Sequence, residues 1–210
     1  MRLGEIFLRD RQKTFKDLNF VTDADKAIIN LNREFTFYHY TYEDRLPLIL
    51  KENSGLWARR EVACPEPPDE LRDFHLVEGF LSPLPHWLST SSYYGALGLN
   101  LVKRYIGDIL LEIRIRVDQF PVYIADYAHV LECKLTEYDF GLDSKGLGLG
   151  YDCSNGKECT QAYVNSYLPI HDYAGQHHAP IVQVVRRGEG IAVPSRFIKV
   201  CDVQPLKHSI

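Results

Sequence analysis

Apolar and polar positions along the chain follow two periods, and the switches between them mark out its elements. Residues 1–34 are charged, with Ala24, Ala27, Ile28, Ile29 and Leu31 on a partial apolar stripe, and predict a helical extension packed on the rest. Aromatic and β-branched residues from Phe35 to Thr41 predict a first strand. Thr41 and Asp44 have the spacing of a capping box, and Leu46, Ile49 and Leu50 share one helical face. Gly55 then occupies the place of a left-handed closing residue, so the pattern predicts a short helix ending there.

The middle of the chain is less regular. Residues 59–84 are rich in Pro and Glu, with Cys64-Pro65-Glu66-Pro67-Pro68 held extended or turned, and predict a long loop. Residues 87–92 read as a short strand passing into a hydroxyl-rich helix start, where Ser and Thr serve as caps. A helix over 93–105 puts Tyr94, Leu97, Leu101 and Tyr105 on roughly one face. The clearest strand is 109–117, where Ile109, Leu111, Ile113, Ile115 and Val117 alternate with Leu110, Glu112, Arg114 and Arg116.

A second short strand over 121–126 leads into a helical turn over 127–133. The glycine-rich stretch 141–156 lacks the leading strand and following helix of a phosphate-binding loop, and reads as a surface loop. Strands over 180–186 and 197–203, with a turn at 188–190, complete the chain. Elements of both kinds without βαβ alternation predict an α+β fold: a helical extension over 1–34 and one domain over 35–210.

With 45% hydrophobic and 25% charged residues, the composition is that of an ordinary globular domain. A net charge of -4 argues against a general basic field gripping nucleic acid, although Arg186-Arg187 offers a local pair of cations. No apolar run approaches a membrane span and no signal-peptide core follows Met1, which predicts a cytoplasmic protein or one delivered without a classical signal. The five cysteines form no CxxC pair, so neither a disulfide framework nor a structural zinc site is expected. Cys153 and Cys159 are close enough in sequence to bridge under oxidation, with reduced thiols the expectation. His171, Asp172, His177 and His178 read as a solvated loop, since neighbouring histidines on a strand point to opposite faces.

His39 is the residue with the most chemical interest: a ring nitrogen near the end of a rigid strand, beside a helix. It suits a structural hydrogen bond, or a contact that fixes a ligand. The run Phe37-Tyr38-His39-Tyr40-Thr41, followed by Leu46, Ile49-Leu50 and Gly55-Leu56-Trp57, resembles the start of the ADP-ribosyltransferase fold of the diphtheria-toxin and poly(ADP-ribose) polymerase type.

That resemblance implies a split mixed β-sheet core with flanking helices, and an enzyme of toxin or effector type. Such an enzyme uses NAD as substrate and passes ADP-ribose to a macromolecular acceptor, protein or nucleic acid, with no metal and no membrane. It implies that His39, with Tyr40 and Thr41, holds the NAD ribose and nicotinamide amide. Trp87-Leu88-Ser89-Thr90 falls where the family has aromatic-Tyr-Ser-Thr, which places Ser89 and Thr90 at NAD and replaces one stacking tyrosine by Leu88. Tyr94 and Tyr105 are then the nicotinamide-stacking candidates.

The expected carboxylate departs from the family pattern. The segment from Gln183 through Gly188-Glu189-Gly190 to Pro194 and Phe197-Ile198 looks like the family's late strand, and puts Gln183 where a glutamate is usual. Glutamine can hydrogen-bond a ribose hydroxyl but brings no charge to a developing cation. Three readings stay open: the carboxylate is elsewhere, with Asp126 and Glu158 the leading candidates and Glu112 and Glu132 behind them; transfer proceeds without it; or the fold is kept as a non-catalytic nucleotide-binding or interaction protein. An RNA 2′-phosphotransferase of the same superfamily is a further alternative, disfavoured by the acidic balance.

Overall fold

Why two sheets form is visible in the strand alternation. In the computed structural model, which describes residues 34–60, 74–85, 87, 103–132 and 156–201, strand β1 (Glu34–Thr41) pairs antiparallel with β4 (Ile109–Arg116) along its full length. Strand β9 (Ile198–Val200) adds to the other edge of β4. Phe35 and Phe37 of β1 and Leu111, Ile113 and Ile115 of β4 fall on one face, and none is more than 2% exposed. Arg114 and Arg116 on the other face are exposed, as the alternation predicts.

The second sheet has six strands in the order β6 (Leu168–Pro169), β5 (Val122–Asp126), β7 (Pro180–Arg187), β3 (Phe74–Gly79), β2 (Gly55–Arg60) and β8 (Gly190–Pro194). Every described pairing is antiparallel, where a mixed sheet was expected. Val77, Val122, Ile124, Val182 and Val184 line one face of this sheet and join Phe37, Leu111 and Ile113 in one apolar core between the sheets. The opposite face carries Tyr123 and Ala125, covered by helices α2 (Ala128–Glu132) and α3 (Gly156–Asn165) through Val130 and Tyr163. The architecture is therefore α+β, with antiparallel sheets and few helices, and among the described residues no helix is long and apolar enough to cross a membrane.

Several sequence expectations change. The stretch after β1 is a 3-10 turn, Glu43–Arg45, running into a five-residue helix α1 (Leu46–Leu50), and the side chain of its cap, Tyr42, does not cap the turn but donates its hydroxyl to Arg104 O at 2.9 Å. The capping box fails because Thr41 is the buried last residue of β1. Asn53, not Gly55, takes the left-handed conformation, with φ of 59°. Gly55 is needed for a different reason: it opens β2 against β8, where a Cβ would sit 2.0 Å from the Val193 carbonyl oxygen.

The predicted loop over 59–84 holds the end of β2 and all of β3, an interior strand of the larger sheet. The apolar Val77 and the polar His75 and Glu78 break the period that would have shown it. Helix α3 and strand β8 were likewise not anticipated. Of the predicted helix over 93–105, residues 103–105 are helical, and the rest lies outside the described residues, as do 1–33 and the loop from 141 to 155.

Candidate functional site

The two sheets meet where β1 reaches β3. Strand β2 pairs with β3 only at Arg59↔Leu76 and Arg60↔His75, which leaves the later part of β3 without that neighbour. Strand β1 takes the place: Phe80 N–H donates to Tyr38 O at 2.7 Å, and Tyr38 N–H donates to Phe80 O at 2.9 Å. Gly79 permits the crossing, because a Cβ there would meet the Tyr38 carbonyl at 2.6 Å and the Phe37 ring at 2.5 Å.

His39 sits at this junction. Its Nδ1 lies 2.6 Å from the Glu78 carbonyl oxygen, which can only accept, so Nδ1 carries the proton. Burial holds the ring below the ordinary imidazole pKa; the Glu78 hydrogen bond opposes this, and the charges of Arg59 and Arg45 add to it. The ring is therefore neutral, with an acceptor lone pair on Nε2. Nε2 has no hydrogen-bond partner among the described residues.

Glu78 stands directly across from Gln183 in the β3–β7 register, and Gln183 stands across from Tyr123 in the β7–β5 register. The three side chains form a polar row on the helix-covered face of the sheet. Gln183 is fully buried, and its Nε2 donates to the Tyr163 hydroxyl at 2.7 Å. Glu78 is only partly buried. The junction thus joins His39 to Gln183 through Glu78, whose backbone anchors the first and whose side chain neighbours the second. Glu78 was not singled out in the sequence, because it falls within the stretch read as a loop.

Tyr40 and Thr41 are engaged in packing. The Tyr40 side chain lies in the second apolar cluster with Phe80, Trp87 and Leu110, donates its hydroxyl to Pro83 O at 2.5 Å, and has its pKa pushed up to about 12 by burial. Thr41 is buried against Gly107, which has φ of 95° and where a Cβ would lie 2.1 Å from the Thr41 carbonyl. Tyr105 is 47% exposed. Ser89, Thr90 and Tyr94 lie outside the described residues.

The other two carboxylate candidates stand apart from this row. Glu158 is exposed on the first turn of α3. Asp126 is three residues beyond Tyr123 on β5, so it projects from the opposite face, about 10 Å along the strand. It is buried, and its oxygens accept from the backbone N–H groups of Ala128 at 3.1 Å, Ala179 at 2.9 Å and His178 at 3.0 Å. Burial alone would raise its pKa, but His177, His129 and the backbone donors hold it below the ordinary value.

The histidine segment follows from this anchor. His177 approaches Asp126 at 4.0 Å and places Nε2 3.3 Å from Ile124 O, so it is a packed group where a solvated loop was expected. Among the described residues no group of three or more His, Cys, Asp or Glu side chains is arranged to hold a metal. Arg186 donates to Ile191 O at 3.1 Å across the turn between β7 and β8, which makes it a brace for that turn. Cys201 forms no disulfide, whereas buried Cys159 is disulfide-bonded, a correction to the expectation of reduced thiols. Comparison with protein-family models, with curated proteins and with solved structures finds no match to this chain.

Proposed function

We propose that this protein is a NAD-dependent ADP-ribosyltransferase of toxin or effector type. It cleaves the nicotinamide–ribose bond and transfers ADP-ribose to a macromolecular acceptor, protein or nucleic acid. The observation that carries the reading is the state of His39: neutral, fixed through Nδ1 to the Glu78 carbonyl, with Nε2 able to accept a hydrogen bond. A ribose hydroxyl is the donor such a nitrogen suits, and a fixed acceptor costs no reorganisation when the bond breaks. The split of the strands into two sheets that meet at this histidine is compatible with the ADP-ribosyltransferase fold. Tyr94 and Tyr105 remain the aromatic candidates for the nicotinamide ring.

A second reading, a nucleotide binder without turnover, draws support from Gln183, which is neutral and wholly buried at the position where the family resemblance expects a carboxylate. The RNA 2′-phosphotransferase alternative gains nothing from Arg186, which is held across the turn that follows its strand. Nicotinamide release from NAD, measured on the protein and on His39→Ala, separates these readings. The enzyme reading expects release that falls about 100-fold in the variant with the melting temperature kept. Saturable NAD binding without release supports the binder. Release unaffected by the substitution overturns the assignment of His39.

A further inference from the structure

Gln183 lacks a charge, yet the register puts a carboxylate beside it. Glu78 is its cross-strand partner on β3: Gln183 is fully buried beneath Tyr163, and Glu78 is partly buried, with its Oε1 enclosed. The same residue holds His39 in place through its backbone carbonyl. One residue therefore fixes the ribose acceptor with its main chain and offers a carboxylate with its side chain. Asp126 cannot serve in this way, since it projects from the other face with three backbone donors on it. Glu158 lies exposed on α3.

From this juxtaposition we infer that Glu78 is the catalytic carboxylate of the NAD site, standing one strand away from where the family resemblance places it. The inference rests on the NAD-cleaving reading above. As the bond from ribose C1′ to the nicotinamide nitrogen breaks, its electron pair leaves on nicotinamide and positive charge builds at C1′, which the Glu78 carboxylate stabilises. A hydroxyl of the acceptor, or of water, then forms the new C1′–O bond, and its proton passes to Glu78 and on to solvent. Gln183 acts behind it as a positioning residue, held by the Tyr163 hydroxyl.

The test measures nicotinamide release and NAD binding for the protein, His39→Ala and Glu78→Gln over a range of pH. Glu78→Gln leaves the backbone carbonyl that holds His39 untouched. It is expected to lower kcat about 100- to 1,000-fold while Kd for NAD moves less than about threefold. The part of the acid limb of the pH profile set by a carboxylate that must be ionised should be lost with it, leaving the part set by His39. Added formate should restore part of the rate to Glu78→Ala, a recovery that a purely structural role would not give. If Glu78→Gln does not fold, Glu78→Asp carries the test, with an expected tenfold loss, on the order of one misplaced methylene. A normal rate in Glu78→Gln or Glu78→Asp, with His39→Ala inactive, overturns the role of Glu78 and leaves the NAD reading standing. No release from the unaltered protein overturns both.

Discussion

Asp126 and His39 are both ionisable groups drawn into the described structure, and their surroundings treat them in opposite ways. At Asp126 three backbone N–H groups converge on one carboxylate, which caps the start of α2 and ties down the approach to β7. At the β1–β3 junction His39 has Nδ1 fixed on the Glu78 backbone carbonyl and Nε2 able to accept a hydrogen bond. A buried polar group whose hydrogen bonds are supplied by the backbone serves the architecture; one held rigidly with capacity left over is positioned for a ligand. On that ground the proposed function is argued for the junction, although Asp126 is the more deeply buried acid.

The largest effect that can break this comparison is Asp126→Ala. Two buried donors and one half-buried donor lose their acceptor and a helix loses its cap, at an expected cost of about 3–5 kcal/mol of stability. Urea denaturation reads this directly, and NAD turnover per folded molecule should stay within about twofold. A variant of normal stability with turnover lost would transfer the catalytic role to Asp126. His39→Ala is the counterpart: about 1 kcal/mol in stability for one hydrogen bond, against the roughly 100-fold loss of rate already described.

The alternation of β4 and the aromatic run of β1 could be read because each strand keeps one face in the core, while the other is wet or half-covered except at the paired Tyr40 and Leu110. The same rule explains what was not legible. β3 is interior to its sheet, and both of its faces are partly apolar, with His75, Glu78 and Gly79 among its six residues, so no period of two survives. His39 could be singled out from sequence, since its strand context and neighbours are local. Its partnership with Glu78 could not, because those two residues stand 39 apart and meet only through the crossing of two sheets. Asp126 was a candidate on the family resemblance alone, and only the register shows that it faces away from Gln183.

Acid pH sharpens the comparison next. His39, His129 and His177 are all held below the ordinary imidazole value of 6.5, in each case chiefly by burial. The unfolded chain takes up those protons before the folded one does, so stability is full above pH 6.5 and falls as pH drops below it. Asp126, depressed from 3.8, adds a further loss at lower pH, where its unfolded form protonates first. His39→Asn should remove part of the histidine limb and leave the aspartate limb intact. Asp126→Asn should do the reverse, and deepen the histidine limb, because the Asp126 charge opposes the effect of burial on His177 and His129. Calorimetry from pH 8 to pH 3 distinguishes the two; limbs that do not separate would mean that the two regions titrate as one.

The smallest effect decides to which region Gln183 belongs. Tyr163→Phe removes the hydroxyl that accepts the Gln183 amide, while the ring keeps its edge contacts with Tyr167 at 5.5 Å and Tyr127 at 6.3 Å. One neutral hydrogen bond is at stake, so the urea midpoint should shift by an amount equivalent to about 1 kcal/mol. If Gln183 only positions Glu78 from behind, KM for NAD should hold and kcat should fall by no more than about threefold. A rise in KM with little change in stability would instead put the Gln183 amide in contact with the nucleotide. Gln183 would then join His39 among the residues that wait for a ligand, and Glu78 would share its place at the ribose with the amide beside it.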